Sequence, residues 1–238
     1  GGRFYGPTRL RQALYKSRNL VSIRVLRQIG VRHTIQYAEK FGFDPAKLPN
    51  NLSLALGSAA LTPWEIASAY SVLANGGYKL EPWYIERIEN NDGDTLFEAN
   101  PMVICDDACE QQRAEEQARE AQLAAESAAD ESDELAFSDL LAQEATQPEA
   151  AADTEDNTEE KPIRYAERVQ DERINFLITS MMQDVIKRGT GVKARALNRS
   201  DLAGKTGTTN DQKDAWFSGF NRDVVATVWV GFDQPRNL

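Results

Sequence analysis

A low-complexity stretch in the middle of the chain limits what the rest can fold into. From Glu110 to about Ala129 it is dominated by Ala, Glu and Gln; from Glu131 to Glu160 it is acidic, carries Pro148 and has few large apolar residues. Such a composition buries too little apolar surface to offset the entropy of ordering it. The expectation is a solvated, mobile loop with transient helix; the alternative is that Leu135, Phe137, Leu140 and Leu141 form a short helix for a partner. A folded body must then be assembled from residues 1–104 and 162–238 around an insertion at 105–161. Charge divides the same way. Residues 106–160 hold 19 acidic and 2 basic residues, a net of −17, whereas the remainder holds 18 acidic and 25 basic, a net of +7. The overall −10 therefore describes the insertion, and the body is basic. A basic body suits carboxylates and other anions, and no nucleic-acid recognition motif accompanies it. At 41% hydrophobic the chain can bury a core, and no apolar run is long enough to span a membrane.

In the first part, Leu10, Ala13, Leu14, Val21, Val25, Leu26 and Ile29 recur at helical spacing, so residues 8–42 read as helices broken near Ser17, Gly30 and Gly42. Thr62-Pro63-Trp64-Glu65 reads as a capping box opening a helix that runs to Asn75, with Ile66, Ala69, Tyr70 and Leu73 inward. Trp83–Glu89, a turn at 90–94 and Thr95–Glu98 read as a hairpin. After the insertion, 170–188 reads as a helix with Ile174, Leu177, Ile178, Met181, Val185 and Ile186 inward. Segments 214–220 and 224–232, around Asn221-Arg222-Asp223, read as a second hairpin.

Between these lies Asp201-Leu-Ala-Gly-Lys-Thr-Gly-Thr-Thr-Asn210. On an extended segment, Lys205, Thr206 and Thr208 place an ammonium group and hydroxyls on a strand edge, and Gly207 leaves room for another backbone. Gly204-Lys205-Thr206 also ends like a phosphate loop. That pattern needs Gly where Arg199 stands, and it should open a helix, whereas strand follows here.

Far upstream, Ser17-Arg18-Asn19 sits between two helical stretches. Ser-x-Asn on an interhelical loop followed by Lys-Thr-Gly on a strand is the set found in penicillin-binding proteins and class A β-lactamases. Through Tyr5–Asn19, Ala59–Tyr70, Arg188–Gly191 and Gly204–Asn210 the chain resembles the transpeptidase domain of bifunctional, class A penicillin-binding proteins. The resemblance covers nearly everything outside 105–161. It implies an α/β fold of the penicillin-binding and serine β-lactamase type, an antiparallel sheet flanked by helices, incomplete at both ends here.

The family's nucleophile is the Ser of Ser-x-x-Lys, and no Ser of this chain has Lys three residues later. Thr158-x-x-Lys161 and Thr190-x-x-Lys193 have the spacing with Thr, in an acidic run and a Gly-rich turn, and neither is a credible replacement. The expectation is a piece of a longer protein that holds the nucleophile elsewhere, with a glycosyltransferase domain and an inner-membrane anchor in its N-terminal part and this domain in the periplasm. By resemblance Ser17 relays a proton, Asn19 holds the donor backbone, and Lys205 supports the relay and the substrate carboxylate. Thr206 and Thr208 bind that carboxylate, Gly207 lies between them, and the Thr208 N–H forms half of an oxyanion hole. The implied partners are peptidoglycan stem peptides, β-lactams and, less directly, cell-wall regulatory proteins, with no cofactor. A D,D-carboxypeptidase or β-lactamase, or an inert piece, stays open as an alternative. His33, the sole His, supports no Ser-His-Asp triad and reads as solvated or satisfied in the core. In that oxidising compartment Cys105 and Cys109 read as a small-ring disulfide, with free thiols as the alternative; a metal would need more ligands.

Overall fold

The computed structural model describes residues 6–105, 109–115, 117–119, 121–123 and 161–238. The expectations for a mobile loop through the rest of the insertion, and for a helix at Leu135, Phe137, Leu140 and Leu141, lie outside the described residues. The chain divides into two units, Gly1–Met102 with Ala166–Leu238, and Val103–Tyr165.

The first unit opens with helices α1 (Leu10–Tyr15), α2 (Asn19–Ile29) and α3 (Val31–Glu39). Gly30, at φ 92°, is the one-residue joint between α2 and α3. Helix α4 (Pro63–Ala74) starts on the predicted capping box: the Glu65 N–H donates to Thr62 Oγ1 at 3.2 Å, and the Thr62 N–H donates to the Glu65 carboxylate at 2.8 Å. Lys47 also donates to Glu65, and these bonds, Lys47 first, pull its pKa down to about 2. Of the expected inward stripe Ala69 is fully buried, but the most buried side chain of α4 is Val72. Strand β1 (Tyr78–Lys79) pairs with β4 (Glu167–Arg168), flanking the insertion in sequence.

Strands β2 (Arg87–Glu89) and β3 (Thr95–Glu98) form the first hairpin, exposed along both strands. It begins at Arg87, not at Trp83 as expected. The Ala99 N–H still bonds Glu86 O at 2.8 Å, but Pro101, two residues further on, has no N–H with which to extend the pairing.

Helix α5 (Glu172–Arg188) is capped by Asp171, whose carboxylate accepts from the N–H groups of Arg173 and Ile174. Its buried face differs from the predicted one. Val185 and Ile186 are buried, but so are Asn175, Met182 and Asp184, while Ile174 and Leu177 stand about half exposed. The buried Asn175 has a partner there: its Nδ2 donates to Leu73 O of α4 at 3.0 Å.

Strands β5 (Ala203–Thr208), β6 (Ala215–Phe220) and β7 (Val225–Val230) form an antiparallel sheet in that order. Met182, Ala203 and Phe220 make its core with Leu14, Tyr70, Leu73, Ile178 and Val225 around them, and the Tyr70 ring meets Phe220 edge-on at 6.2 Å. Burial pushes the Tyr70 hydroxyl up to about 12. The class is α/β, an antiparallel sheet flanked by helices, as expected. No described helix is long and apolar enough to cross a membrane.

In the second unit, Val103 and Tyr165 form a β-bridge, and Cys105 and Cys109 are joined in a disulfide with their Cα atoms 5.2 Å apart. Residues 109–115 are helical, and the Arg113 guanidinium lies 4.4 Å from the Tyr165 ring centre.

Candidate active site

Helix α1 ends in a tight turn that aims Ser17. The Ser17 N–H bonds Leu14 O at 3.1 Å and the Arg18 N–H bonds Ala13 O at 2.9 Å, which leaves Ser17 at φ 49°. A Ser in the left-handed region carries about 1–3 kcal/mol of strain, a cost that persists where surroundings over-determine it. One such surrounding is Lys205. Its Nζ donates to Ser17 Oγ at 2.5 Å and to its neighbour Thr206 O at 2.7 Å, joining residues 188 apart in sequence. Two of three ammonium hydrogens are thus used among the described residues, which leaves one that can donate to an anion. Burial pushes the Lys205 pKa below the ordinary lysine value. A base with a lowered pKa loses its proton at lower pH than an exposed lysine does.

Strand β5 is an edge strand, and its backbone groups can be assigned by alternation. Thr209 N–H bonds Asp214 O at 3.1 Å, and successive antiparallel pairs alternate between bonded and non-bonded. Lys205 and Gly207 therefore bond to β6, whereas the backbone groups of Thr206 and Thr208 face the open edge. The bond from Lys205 Nζ to Thr206 O fits that assignment. The Thr208 N–H is consequently available on the same edge as the ammonium group. Glycine has a different use here from the expected one. A Cβ on Gly207 would lie 3.2 Å from Trp216 Cβ, so Gly207 admits that side chain, and it is Gly204 that allows a backbone approach, 2.8 Å from Ser218 O.

Helix α1 is held over α5 by Arg11, whose Nη1 bonds Ser180 O at 3.0 Å and Asp184 Oδ2 at 3.0 Å, while Arg188 reaches the same carboxylate at 2.6 Å. Burial acts to raise the Asp184 pKa, but the bonds from Arg188 and Arg11 outweigh it and hold it below the usual carboxylate value. The Arg188 guanidinium also lies 5.2 Å from the Tyr15 ring centre, two residues before Ser17.

Of the residues singled out in the sequence, Ser17, Lys205 and Thr206 come together. Thr208 is exposed at the end of β5, and Asn19 is the exposed first residue of α2, with no hydrogen bond to its amide among the described residues. His33 is exposed on α3. Gly204-Lys205-Thr206 lies within a strand and does not open a helix, so it is no phosphate loop. No group of described residues could hold a metal ion. Sequence reasoning gave no role at the site to Thr190, whose Oγ1 lies 2.6 Å from Thr206 Oγ1; its flanking glycines were the available signal.

Known proteins resemble this chain in sequence and in fold. Residues 2–236 match the family model described as the penicillin binding protein transpeptidase domain. The chain belongs to that family. Penicillin-binding protein 1A of Pseudomonas aeruginosa is 53% identical over 99% of this chain and 27% of its own length. Penicillin-binding protein 1A of Neisseria cinerea is 38% identical over 100% of this chain and 22% of its own. The crystal structure of penicillin-binding protein 1A from Haemophilus influenzae superposes with a TM-score of 0.70 and 33% identity, covering 98% of this chain and 31% of that one. The chain thus spans about a quarter of the length of the curated relatives it matches.

Proposed function

We propose that this chain supplies the Lys-Thr-Gly and Ser-x-Asn side of a peptidoglycan D,D-transpeptidase site. The observation that carries the reading is the Lys205–Ser17 bond on an open strand edge, in a chain of this family. An edge strand can add a peptide as a further strand, and Lys205 with the Thr206 and Thr208 hydroxyls can hold the terminal carboxylate of a D-alanyl-D-alanine stem. The carbonyl to be attacked then lies along the edge by the Thr208 N–H, and such a donor typically supplies about 3 kcal/mol to an oxyanion. Ser17, bonded to Lys205, passes a proton to the departing D-alanine nitrogen as the acyl group moves to the nucleophile. Asn19 projects from the start of α2 to hold the donor backbone.

The nucleophile, the Ser of a Ser-x-x-Lys motif, lies outside these 238 residues. An amine of a second stem takes the acyl group in the following step. β-Lactams enter as mimics of the donor and leave an ester on that Ser. The enzyme works at the periplasmic face of the inner membrane, where stem peptides are found and where the Cys105–Cys109 disulfide is stable.

Intact mass spectrometry with excess penicillin tests the reading. The full enzyme gains one penicillin on a Ser-x-x-Lys serine, and Lys205→Ala slows that step by about a hundredfold or more. An adduct mapped to Ser17, or an enzyme that never acylates, would overturn it.

A further inference from the structure

Thr190 lies in Arg188–Gly191, one of the stretches that carry the resemblance, and has been given no role so far, yet it touches both halves of the site. Its backbone N–H bonds Tyr15 O at 3.1 Å, at the end of the helix that leads to Ser17. Its side-chain oxygen lies 2.6 Å from that of Thr206, next to Lys205 on β5. The residues on either side fix it there. A Cβ on Gly189 would lie 2.4 Å from Tyr15 O and 2.7 Å from Val185 Cα, and one on Gly191 would lie 2.9 Å from Ile186 Cδ1. Only glycines let the chain leave α5 so closely against α1. The Gly191 N–H, bonded to Val185 O at 3.0 Å, ties the segment back to α5. Thr190 is therefore held by backbone on both sides, while its hydroxyl stays exposed at the edge.

Of the two hydroxyl protons, only one lies between the two oxygens, and either residue can supply it. If Thr206 donates to Thr190, the Thr206 hydroxyl is spent. If Thr190 donates, the Thr206 hydrogen is free to point at an anion, and an anion there favours that direction, since each bond in a donor chain polarises the next. We infer that Thr190 is a positioning residue for carboxylate recognition: it donates to Thr206 and turns the Thr206 O–H toward the carboxylate of the bound donor. The chain of donors runs Thr190, Thr206, carboxylate, beside the remaining hydrogen of Lys205. Thr190 never touches the reacting carbonyl, so it governs which ligands are preferred and leaves the chemistry to others.

This inference rests on the proposed transpeptidase reading, and its test separates the two. The acylation rate of the full enzyme is measured with a penicillin bearing its free carboxylate and with the methyl ester of the same penicillin, for wild type, Thr190→Val and Thr190→Ser. Val keeps the shape and removes the donor. The expected result is that Thr190→Val lowers the preference for acid over ester about threefold, because it removes what orients and polarises the Thr206 donor and leaves that donor in place, while Thr190→Ser keeps the wild-type preference. If Thr190→Val leaves the preference unchanged, whether both rates hold or both fall together, Thr190 is only a structural tie and the inference is overturned. A wild-type enzyme that neither penicillin acylates would overturn the transpeptidase reading, and the inference with it.

Discussion

In the β2–β3 hairpin the Asn90 Oδ1 accepts from the N–H groups of Asp92 and Asp94; in the β6–β7 hairpin the Asn221 Oδ1 accepts from those of Asp223 and Val224. Both turns are closed by an Asn side chain that stands in for a backbone acceptor. Yet β2 and β3 are exposed throughout, whereas β6 buries Ser218, Gly219 and Phe220 under α4 and α5. The difference lies in what reaches each hairpin from far away in sequence. Around the β5–β7 sheet, Lys205 finds Ser17, Asp184 finds Arg11, and Asn175 finds Leu73. Around β2–β3, Asn90 and Asp94 close the turn and the two strands pair with each other. Local turn chemistry thus makes a hairpin, and long-range burial makes one of them able to hold a site.

Substitutions can strain this comparison from both sides, and unfolding of the enzyme that carries the chain measures them. The largest effect belongs to Gly204→Ala, because the new Cβ would press to 2.8 Å from Ser218 O and 3.1 Å from Gly219 Cα in a sheet that cannot yield. Overpacking of this kind costs about 3 kcal/mol. A loss below about 1 kcal/mol would mean that β5 and β6 are as loosely held as β2 and β3. Next comes Asp184→Asn, which weakens the bonds from Arg11 and Arg188; the arginines are partly exposed, so the loss is about 2 kcal/mol.

The same carboxylate gives a pH dependence. Its folded pKa is depressed, so its stabilisation is present above the unfolded value and is lost as pH falls through the folded one. Asp184→Asn should accordingly flatten the acid limb of the stability curve, and an unchanged limb would remove Asp184 from the account.

In the exposed hairpin, Gly93→Ala should cost only about 1 kcal/mol, from its φ of 91° with nothing within 4 Å of the new Cβ. The smallest effect is at the site itself. Lys205→Met removes a charge whose pKa burial lowers, so stability should not fall although acylation does. A clearly less stable Lys205→Met would make Lys205 a structural residue first.

How far the sequence reached depends on how far each partner lies along the chain. The Thr62–Glu65 capping box, the Gly30 joint and the Lys-Thr-Gly strand were legible because their determinants are neighbours. The start of the first hairpin was misplaced because the pairing depends on the opposite segment, where Pro101 has no N–H with which to extend it. The face of α5 was misjudged because apolar spacing pointed to Ile174 and Leu177, while the buried positions include polar residues whose partners lie far along the chain, Asn175 on Leu73 and Asp184 on Arg11. Gly207 was read as room for a backbone and proves to be room for Trp216. Thr190 was noted for a spacing to Lys193 that resembles a nucleophile motif and as part of Arg188–Gly191, and its pairing with Thr206 is created by the fold alone.

The central claim is that Ser17 and Lys205 act as one unit in acylation. A double-mutant cycle on the penicillin acylation rate, with Ser17→Ala, Lys205→Ala and both together, tests it most directly. If the pair is one relay, each single variant loses about a hundredfold and the double variant loses little more, because groups that act together are strongly non-additive. If the two losses multiply to about ten-thousand-fold, the 2.5 Å bond is incidental and the two residues serve the reaction separately.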